Sequence, residues 1–382
     1  MKSTQTPLFE SMASTLAVLY LAIELGVQKW HLLFGDGEHR RYRTIEVRDM
    51  VSLLSEIRLS KEKLKLPSDA LVVSCFEAGR DGHWLHRALC AQGIHNLEVT
   101  STSIKVNQQG KHRKTDRLDL DSLYIQLIHY TQGERDELQV VNVPSEAAEA
   151  EMRLDRMLSR LKKEQIQHRN RMQSVLIRYG LRLKQVGGPG WDRRVSQLQD
   201  WSGKALPILV QSELHQENER MLLVEQQRQE LEHERDRLIE KGEGKVYEQI
   251  RRLLSLRSLG PVISWRLVTE FYGWRAFKNR KQIGALSGLV GTPYNSGQSE
   301  REQGISHEGN PRVRSLAIEL AWLWVRLQPT SKWSLWFRRR FAQGSKRMRK
   351  IGIVGVARHL LIDLWHFLED GVVPEGAVLK RI

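Results

Sequence analysis

The spacing of apolar residues changes along this chain, and the changes divide it. From residue 17 to about 130, short apolar runs alternate with amphipathic stretches. AVLYLAIEL (17 to 25), KWHLLF (29 to 34) and RRYRTIEV (40 to 47) are compact runs rich in β-branched and aromatic residues, separated by Gly26 and by Gly35-Asp36-Gly37. They predict three strands joined by tight turns. Residues 50 to 66 carry helical periodicity up to Pro67, and ALVVSCFEAG (70 to 79) is the strongest buried-strand signal in the chain. A helix over 82 to 93, a strand at 97 to 101, a basic loop and a helix from about Lys114 to Tyr130 complete a β-β-β-α-β-α-β-α order. Such alternation predicts a mixed α/β sheet.

After Val143-Pro144-Ser145 the pattern becomes long, charged and helical. Leu154, Leu158, Leu161, Met172, Val175 and Leu176 keep one stripe up to Gly180. A second long helix from about Leu206 to Lys241 repeats Val224, Leu231 and Leu238 every seven residues, with Arg228 and Arg235 at the partnering positions. These two helices predict an antiparallel hairpin or short coiled coil, with KQVGGPGW (184 to 191) as a Gly-Pro linker between them. Dimerisation and a solvated spacer are both open uses for it. Beyond Gly242 the chain predicts a helical hairpin over 253 to 271, turning at Leu259-Gly260-Pro261, and a short helix QIGALSGLV. A polar loop carrying Ser296-Gly297 follows, then helices over 312 to 328, 332 to 341 and 353 to 369.

Charge sharpens this picture. The chain has 382 residues and a formal net charge of +15. From Arg312 to Lys350 there are eleven Lys or Arg against one acid, Glu319, so the charge is concentrated. A nucleic acid is the partner such a segment suits. Arg312, Arg314, Lys332, Arg338, Arg339, Arg340, Lys346, Arg347, Arg349 and Lys350 are the candidate contacts. Trp333, Trp336 and Phe337 among them fit a core better than a base-stacking track. His359, Asp363 and His366 share helical spacing but have apolar neighbours, which favours structural roles. The apolar run Leu16 to Ile23 is too short to span a bilayer, and the N-terminus does not read as a signal peptide. Cys75 and Cys90 show no zinc or disulfide spacing, so a reducing, cytoplasmic location is expected, with no membrane partner.

Four acids stand at telling positions. Glu24 interrupts an apolar run, Glu77 ends the strongest strand signal, and Asp116 and Asp119 lie three apart at a helix start. Any one of them alone is ordinarily a solvated surface acid or a helix cap. Together, without His or Cys, they suit a hard cation, Mg²⁺ or Mn²⁺. Two such ions can clamp the attacking and leaving oxygens of a phosphodiester. Ser296 is the candidate nucleophile.

Two regions carry a resemblance. LAIEL, VVSCFEAGRDGHWLHRAL and KTDRLD form the first; LLSLRSLGPVISWRLVTEF, SGLVGTPYNSG and GISHEGNPRVR with the basic helices form the second. The chain resembles the DEDD transposases of insertion sequences, the one-ten family, related to the Piv-type DNA invertases. The resemblance implies a RuvC-like (RNase H fold) α/β domain over 13 to 143. It implies a helical coiled-coil insertion over 144 to 250, and a mostly α-helical transposase domain over 251 to 382. It places a metal-binding catalytic tetrad on Glu24, Glu77, Asp116 and Asp119, and a catalytic serine on Ser296. It implies donor and target DNA, a structured noncoding guide RNA, and a homodimer or homotetramer. Two positions depart from the family pattern: Glu24 stands where Asp is usual, and Arg257-Ser258 where a Pro-Gly pair is usual. The expected function is serine-based DNA recombination. The alternatives are a RuvC-type endonuclease that uses water, or a nucleic-acid-binding copy without chemistry.

Overall fold

The computed structural model describes residues 17–100, 116–296 and 299–380. The expected N-terminal tail, the basic loop after residue 100 and Gly297 lie outside the described residues. The chain divides into two compact units, Met1–Pro144 and Ser145–Ile382.

In the first unit, β1 (Val18–Leu25), β2 (Lys29–Gly35), β3 (Arg40–Glu46), α1 (Met50–Lys63), β4 (Leu71–Glu77), α2 (Gly82–Ala91), β5 (His95–Val99) and α3 (Asp116–Thr131) follow one another. The sheet order is β3-β2-β1-β4-β5. β1, β4 and β5 are mutually parallel, and β2 is antiparallel to both its neighbours. β1 is therefore central and covered on both faces. Leu19, Leu21 and Ile23 pack with Leu53, Ile57, Leu85 and Leu89 on one side. Val18 and Ala22 pack with Leu120, Leu123, Tyr124 and Leu127 of α3 on the other. Double coverage explains why β1 reads as a continuous apolar run instead of alternating. At the far end of α3, the Thr131 hydroxyl donates to Tyr20 Oη at 3.5 Å, near the start of β1. The helix thus runs antiparallel to β1, and its first turn lies towards the carboxyl ends of the parallel strands.

The second unit opens with α4 (Glu146–Arg178), the short α5 (Trp191–Val195) and α6 (Ile208–Lys241). α4 and α6 pair antiparallel: Gln165 bonds Glu225, while His168 Nδ1 and Arg171 Nε meet Glu217 at 2.7 and 2.8 Å. The heptad seam expected from the sequence is partial. Met172, Leu176, Leu214 and Met221 form the apolar tip together with Val186 and Trp191. The 184–191 stretch is accordingly a folded cap on this arm and not an open linker. Gly188 N–H donates to Asn218 at 2.8 Å, and a Cβ on Gly187 would lie 2.4 Å from Met221 Cε.

The rest is a helical cluster around one core: α7 (Lys245–Leu254), α8 (Pro261–Leu267) running into a π-helical turn Val268–Tyr272, α9 (Arg280–Ser287), α10 (Pro311–Leu327), α11 (Lys332–Arg340) and α12 (Lys346–Glu369). Between α9 and α10, a polar loop was expected. The chain instead forms an antiparallel hairpin of β6 (Gly291–Ser296) and β7 (Ser299–Ile305). GTPYNS and SEREQGI lack an apolar/polar alternation, so no pattern announces it. Pro293 sits by a register shift at its base, where an edge strand tolerates it. The last helix starts at Lys346, not at 353, because Ser345 accepts from Met348 N–H as an N-cap. α12 is long and apolar enough to cross a membrane, yet Val356, Ala357, Leu360, Leu361 and Leu364 are buried in the helical core.

The root of the arm is fixed by buried charge. Asp155 of α4 accepts two bonds from Arg266, at 2.8 and 2.9 Å, and one from Arg312 at 2.7 Å. Glu270, in the π turn, takes Arg156 of α4 through both oxygens, at 2.9 and 3.0 Å, and Arg312 Nε stands 3.2 Å from it. Both acids are buried. Removing one would strand guanidiniums in a poorly solvated site. Glu270→Ala should destabilise the protein by about 3 kcal/mol, the low end for breaking a buried pair because Arg156 reaches solvent. Urea unfolding measures this; a loss under about 1 kcal/mol, the size of a surface pair, would contradict the structural role.

Candidate nucleic-acid-processing site

Glu24 ends the central strand and Glu77 ends its parallel neighbour. Ile23 pairs with Phe76, so the two acids stand one step further at the same height. Adjacent strands lie about 4.8 Å apart, which fixes the separation of their backbones. Glu24 and Glu77 line one cleft of about 270 Å³ with Val27, Arg80 and Asp81. Glu24 is half-buried and lines this opening, so its place in an apolar run reflects the strand's end.

α3 brings its first turn to the same end of the sheet. Leu120 and His31 line a common recess, and His31 is the cross-strand partner of Glu24. Asp116 opens α3, and Asp119, three residues on, is half-buried. The donor set is all oxygen, as a hard divalent cation prefers. Among the described residues, Glu24, Glu77 and Asp119 do not gather their oxygens within 4.8 Å of one another. The acids that do so, Glu134 and Glu137 with His129, sit past the other end of α3.

Ser296 is the last residue of β6, and its backbone pairs with Ser299. What holds this hairpin is the glycine and GNPRVR pattern. Gly288 ends α9 with φ 66°, and a Cβ there would meet Glu308 O at 1.9 Å. Gly309 has φ 79°, and a Cβ would meet Leu286 O at 2.2 Å. The two backbones touch only because both residues lack a side chain. Asn310 then caps α10, accepting from Arg312 N–H at 2.9 Å, and Pro311 takes the first helical position. The Arg314 guanidinium donates to His307 O and Glu308 O at 2.9 and 3.2 Å.

The basic segment sorts into two groups. Arg312 and Arg314 were expected to touch nucleic acid; their guanidiniums are committed to the arm root and to the hairpin's return loop. Lys332 pairs with Glu375 at 2.9 Å, and Arg338 donates to Pro329 O at 3.4 Å. Arg339, Arg340, Lys346, Arg347, Arg349 and Lys350 are exposed. The last four occupy the first turns of α12, where no acid offsets them. Cations at the positive end of a helix repel its dipole and each other, and an anion relieves both. The aromatics between are core. Phe337 is buried, Trp333 stacks on His359 at 4.0 Å, and Trp333 Nε1 donates to Asp363 at 2.6 Å. Burial pushes the Asp363 carboxyl above its ordinary value despite that bond.

Several residues escaped the sequence reading. Glu270 interrupts an apolar helix, the same signal that singled out Glu24, and Glu98 lies between Leu97 and Val99 on β5. Glu98 is fully buried beneath α2, with His83 Nδ1 at 3.0 Å, and Gly82 leaves room for its carboxylate. Asp155 falls on the buried stripe of α4 with Met152. Asp81 lines the acidic cleft, and a hydrogen bond from Arg48 holds its carboxyl below the usual range.

Residues 250–334 match the Transposase IS116/IS110/IS902 family. Over 378 residues, 96% of this chain and 95% of the other, the sequence is 33% identical to y4rJ of Sinorhizobium fredii; y4qE of the same organism is 24% identical over 66% of this chain and 58% of its own length. Both are named as putative transposases. The transposase for insertion sequence element IS1328 of Yersinia enterocolitica is 22% identical over 66% of this chain and 71% of its own.

Replacing Arg347 and Arg349 by Glu should weaken DNA binding and lower the slope of log affinity against log salt by about 2, with little effect on the melting temperature. Equilibrium binding across a salt series measures it; an unchanged slope would take these residues off the interface.

Proposed function

The chain belongs to the IS116/IS110/IS902 family of transposases, and on that premise we propose that it moves an insertion sequence by serine attack on DNA phosphodiesters. The observation that carries this reading is the placement of Glu24 and Glu77 side by side at the carboxyl ends of parallel strands, where open α/β sheets hold their ligands. A RuvC-like fold accounts for the 3-2-1-4-5 sheet order of the first unit. The second unit supplies Ser296 on its hairpin and a cationic surface for the DNA backbone.

In the reaction proposed, the Ser296 hydroxyl gives up its proton and Oγ bonds to phosphorus. One P–O bond to a deoxyribose breaks, and the leaving oxygen takes a proton. One phosphodiester replaces another, so the bond energy is conserved and the strand can be rejoined to a new end. Mg²⁺ or Mn²⁺ held by Glu24, Glu77, Asp116 and Asp119 would supply Lewis-acid stabilisation of the developing charge. Glu24 in place of the usual Asp adds one methylene of reach to that set. The donor and target DNA are selected with a structured noncoding RNA, and the protein works as a homodimer or homotetramer in which the α4–α6 arm contributes to assembly.

Ser296→Ala and Glu77→Ala should each lower recombination between element ends and target by at least about 10³-fold, because members of a catalytic unit fail together. A two-plasmid recombination assay measures it, with DNA binding retained as the control. Undiminished recombination in Ser296→Ala would overturn the serine mechanism.

A further inference from the structure

On the reading above, the acidic cleft has to admit a polyanion. Glu24, Glu77 and Asp81 all line it, so any carboxylate charge that a bound cation does not offset repels an approaching phosphodiester. Two guanidiniums stand where this repulsion is felt. Arg80 lines the cleft itself, and its side chain is 72% exposed. Arg48, in the turn between β3 and α1, does not line the cleft but pairs with Asp81, which does, and its side chain is 60% exposed. Both are tied to the same carboxylate: Arg48 Nη2 lies 2.8 Å from Asp81 Oδ1 and Arg80 Nη2 3.5 Å from Asp81 Oδ2. One carboxylate between two guanidiniums leaves a positive charge unneutralised. Each guanidinium has five N–H donors, and Asp81 does not exhaust them.

The backbone at Arg48 decides how its side chain can be removed. Its φ is 65°, in the left-handed region that glycine adopts freely and a long side chain adopts at a cost. Lys65 and His307 share this region, so the conformation bears on which substitution fits and not on the role of Arg48. Asp49, the next residue, caps α1 by accepting from Ser52 N–H at 2.9 Å, so the turn is held in place on both sides of the strained residue. Asp81 in turn precedes α2 directly. The pair of arginines is thus mounted on two helix starts at the mouth of the cleft.

We propose that Arg48 and Arg80, tied by Asp81, form a phosphate clamp at the mouth of the Glu24–Glu77 cleft. The clamp binds a non-bridging oxygen of a phosphate neighbouring the one to be cleaved, on the DNA strand. It offsets the cleft's negative charge and sets the register of that strand along the sheet edge. A guanidinium suits this because its planar fork engages phosphate oxygens two at a time. The proposal rests on the assignment of the cleft to phosphodiester chemistry.

The test uses the full-length protein with its element RNA, a labelled DNA duplex carrying the element's end, and the variants Arg48→Gly, Arg80→Ala and the double. Arg48→Gly is the informative one, since glycine fits the left-handed backbone and the fold keeps or gains thermal stability while the cation is lost. Each single variant should lower the log–log salt slope of DNA binding by about 0.9, and the double by about twice that. In strand cleavage, KM should rise several-fold with kcat little changed. A double variant that keeps the wild-type slope and KM, in a protein whose cleavage is abolished by Glu77→Ala, overturns the clamp and leaves the cleft assignment standing. Cleavage unaffected by Glu77→Ala overturns the cleft assignment and the clamp with it.

Discussion

The buried ion network at the root of the arm is the constraint on which the second unit depends. Asp155 and Glu270 each sit where water is scarce, and each is satisfied by arginines from other elements. Arg312 is shared by both acids and lies two residues beyond the Asn310 cap. The cap in turn follows Gly309, whose backbone packs on the end of α9 and closes the hairpin bearing Ser296. The position of the arm and the base of the hairpin are therefore set by one cluster of side chains. Arg275 belongs to the same neighbourhood: it donates to Glu270 O at 2.6 Å, and burial lowers its guanidinium to about 10 despite the nearby carboxylate. Loss of either acid leaves arginines without their partner, whereas each acid keeps a second arginine when one is lost. The network also ties the π-helical turn at Val268–Tyr272 to α4, giving that irregular geometry a structural reason.

Much of the first unit was legible from the residues alone. Its element order follows from apolar runs, glycine and proline punctuation and helical periodicity, because central strands buried on both faces leave an unbroken apolar signature; the fifth strand runs His95–Val99 and not 97 to 101. The hairpin of the second unit was not legible. GTPYNS and SEREQGI show no alternation of apolar and polar residues, so the sequence pattern does not announce their pairing. The start of α12 was also missed: its first turns are so basic that they read as a loop, and only the Ser345 cap reveals the helix.

The site shows the same division. Glu24 and Glu77 could be picked from the sequence as acids at strand ends, and the parallel register places them together. The cationic residues could be counted but not sorted. A guanidinium two residues into a helix looks the same in sequence whether it faces DNA or an internal carboxylate, and the signal that separates them is the presence of a buried acid elsewhere in the chain. Asp155 and Glu270 supplied that acid for Arg312, and neither had been singled out. Glu270 carries the same signal as Glu24: an acid in an apolar helix needs a partner, and the arginines nearby are the candidates.

What joins the acidic cleft to the serine hairpin is the proposed chemistry, in which the carboxylates serve the attack by Ser296. The most direct measurement is to trap the protein on DNA under denaturing conditions and to map the adduct by peptide mass spectrometry. A phosphodiester link on the peptide containing Ser296, formed by the wild type and lost in Glu77→Ala while DNA binding persists, is the predicted result. Strand products formed with no covalent adduct, or an adduct on Ser296 undiminished by Glu77→Ala, would contradict it.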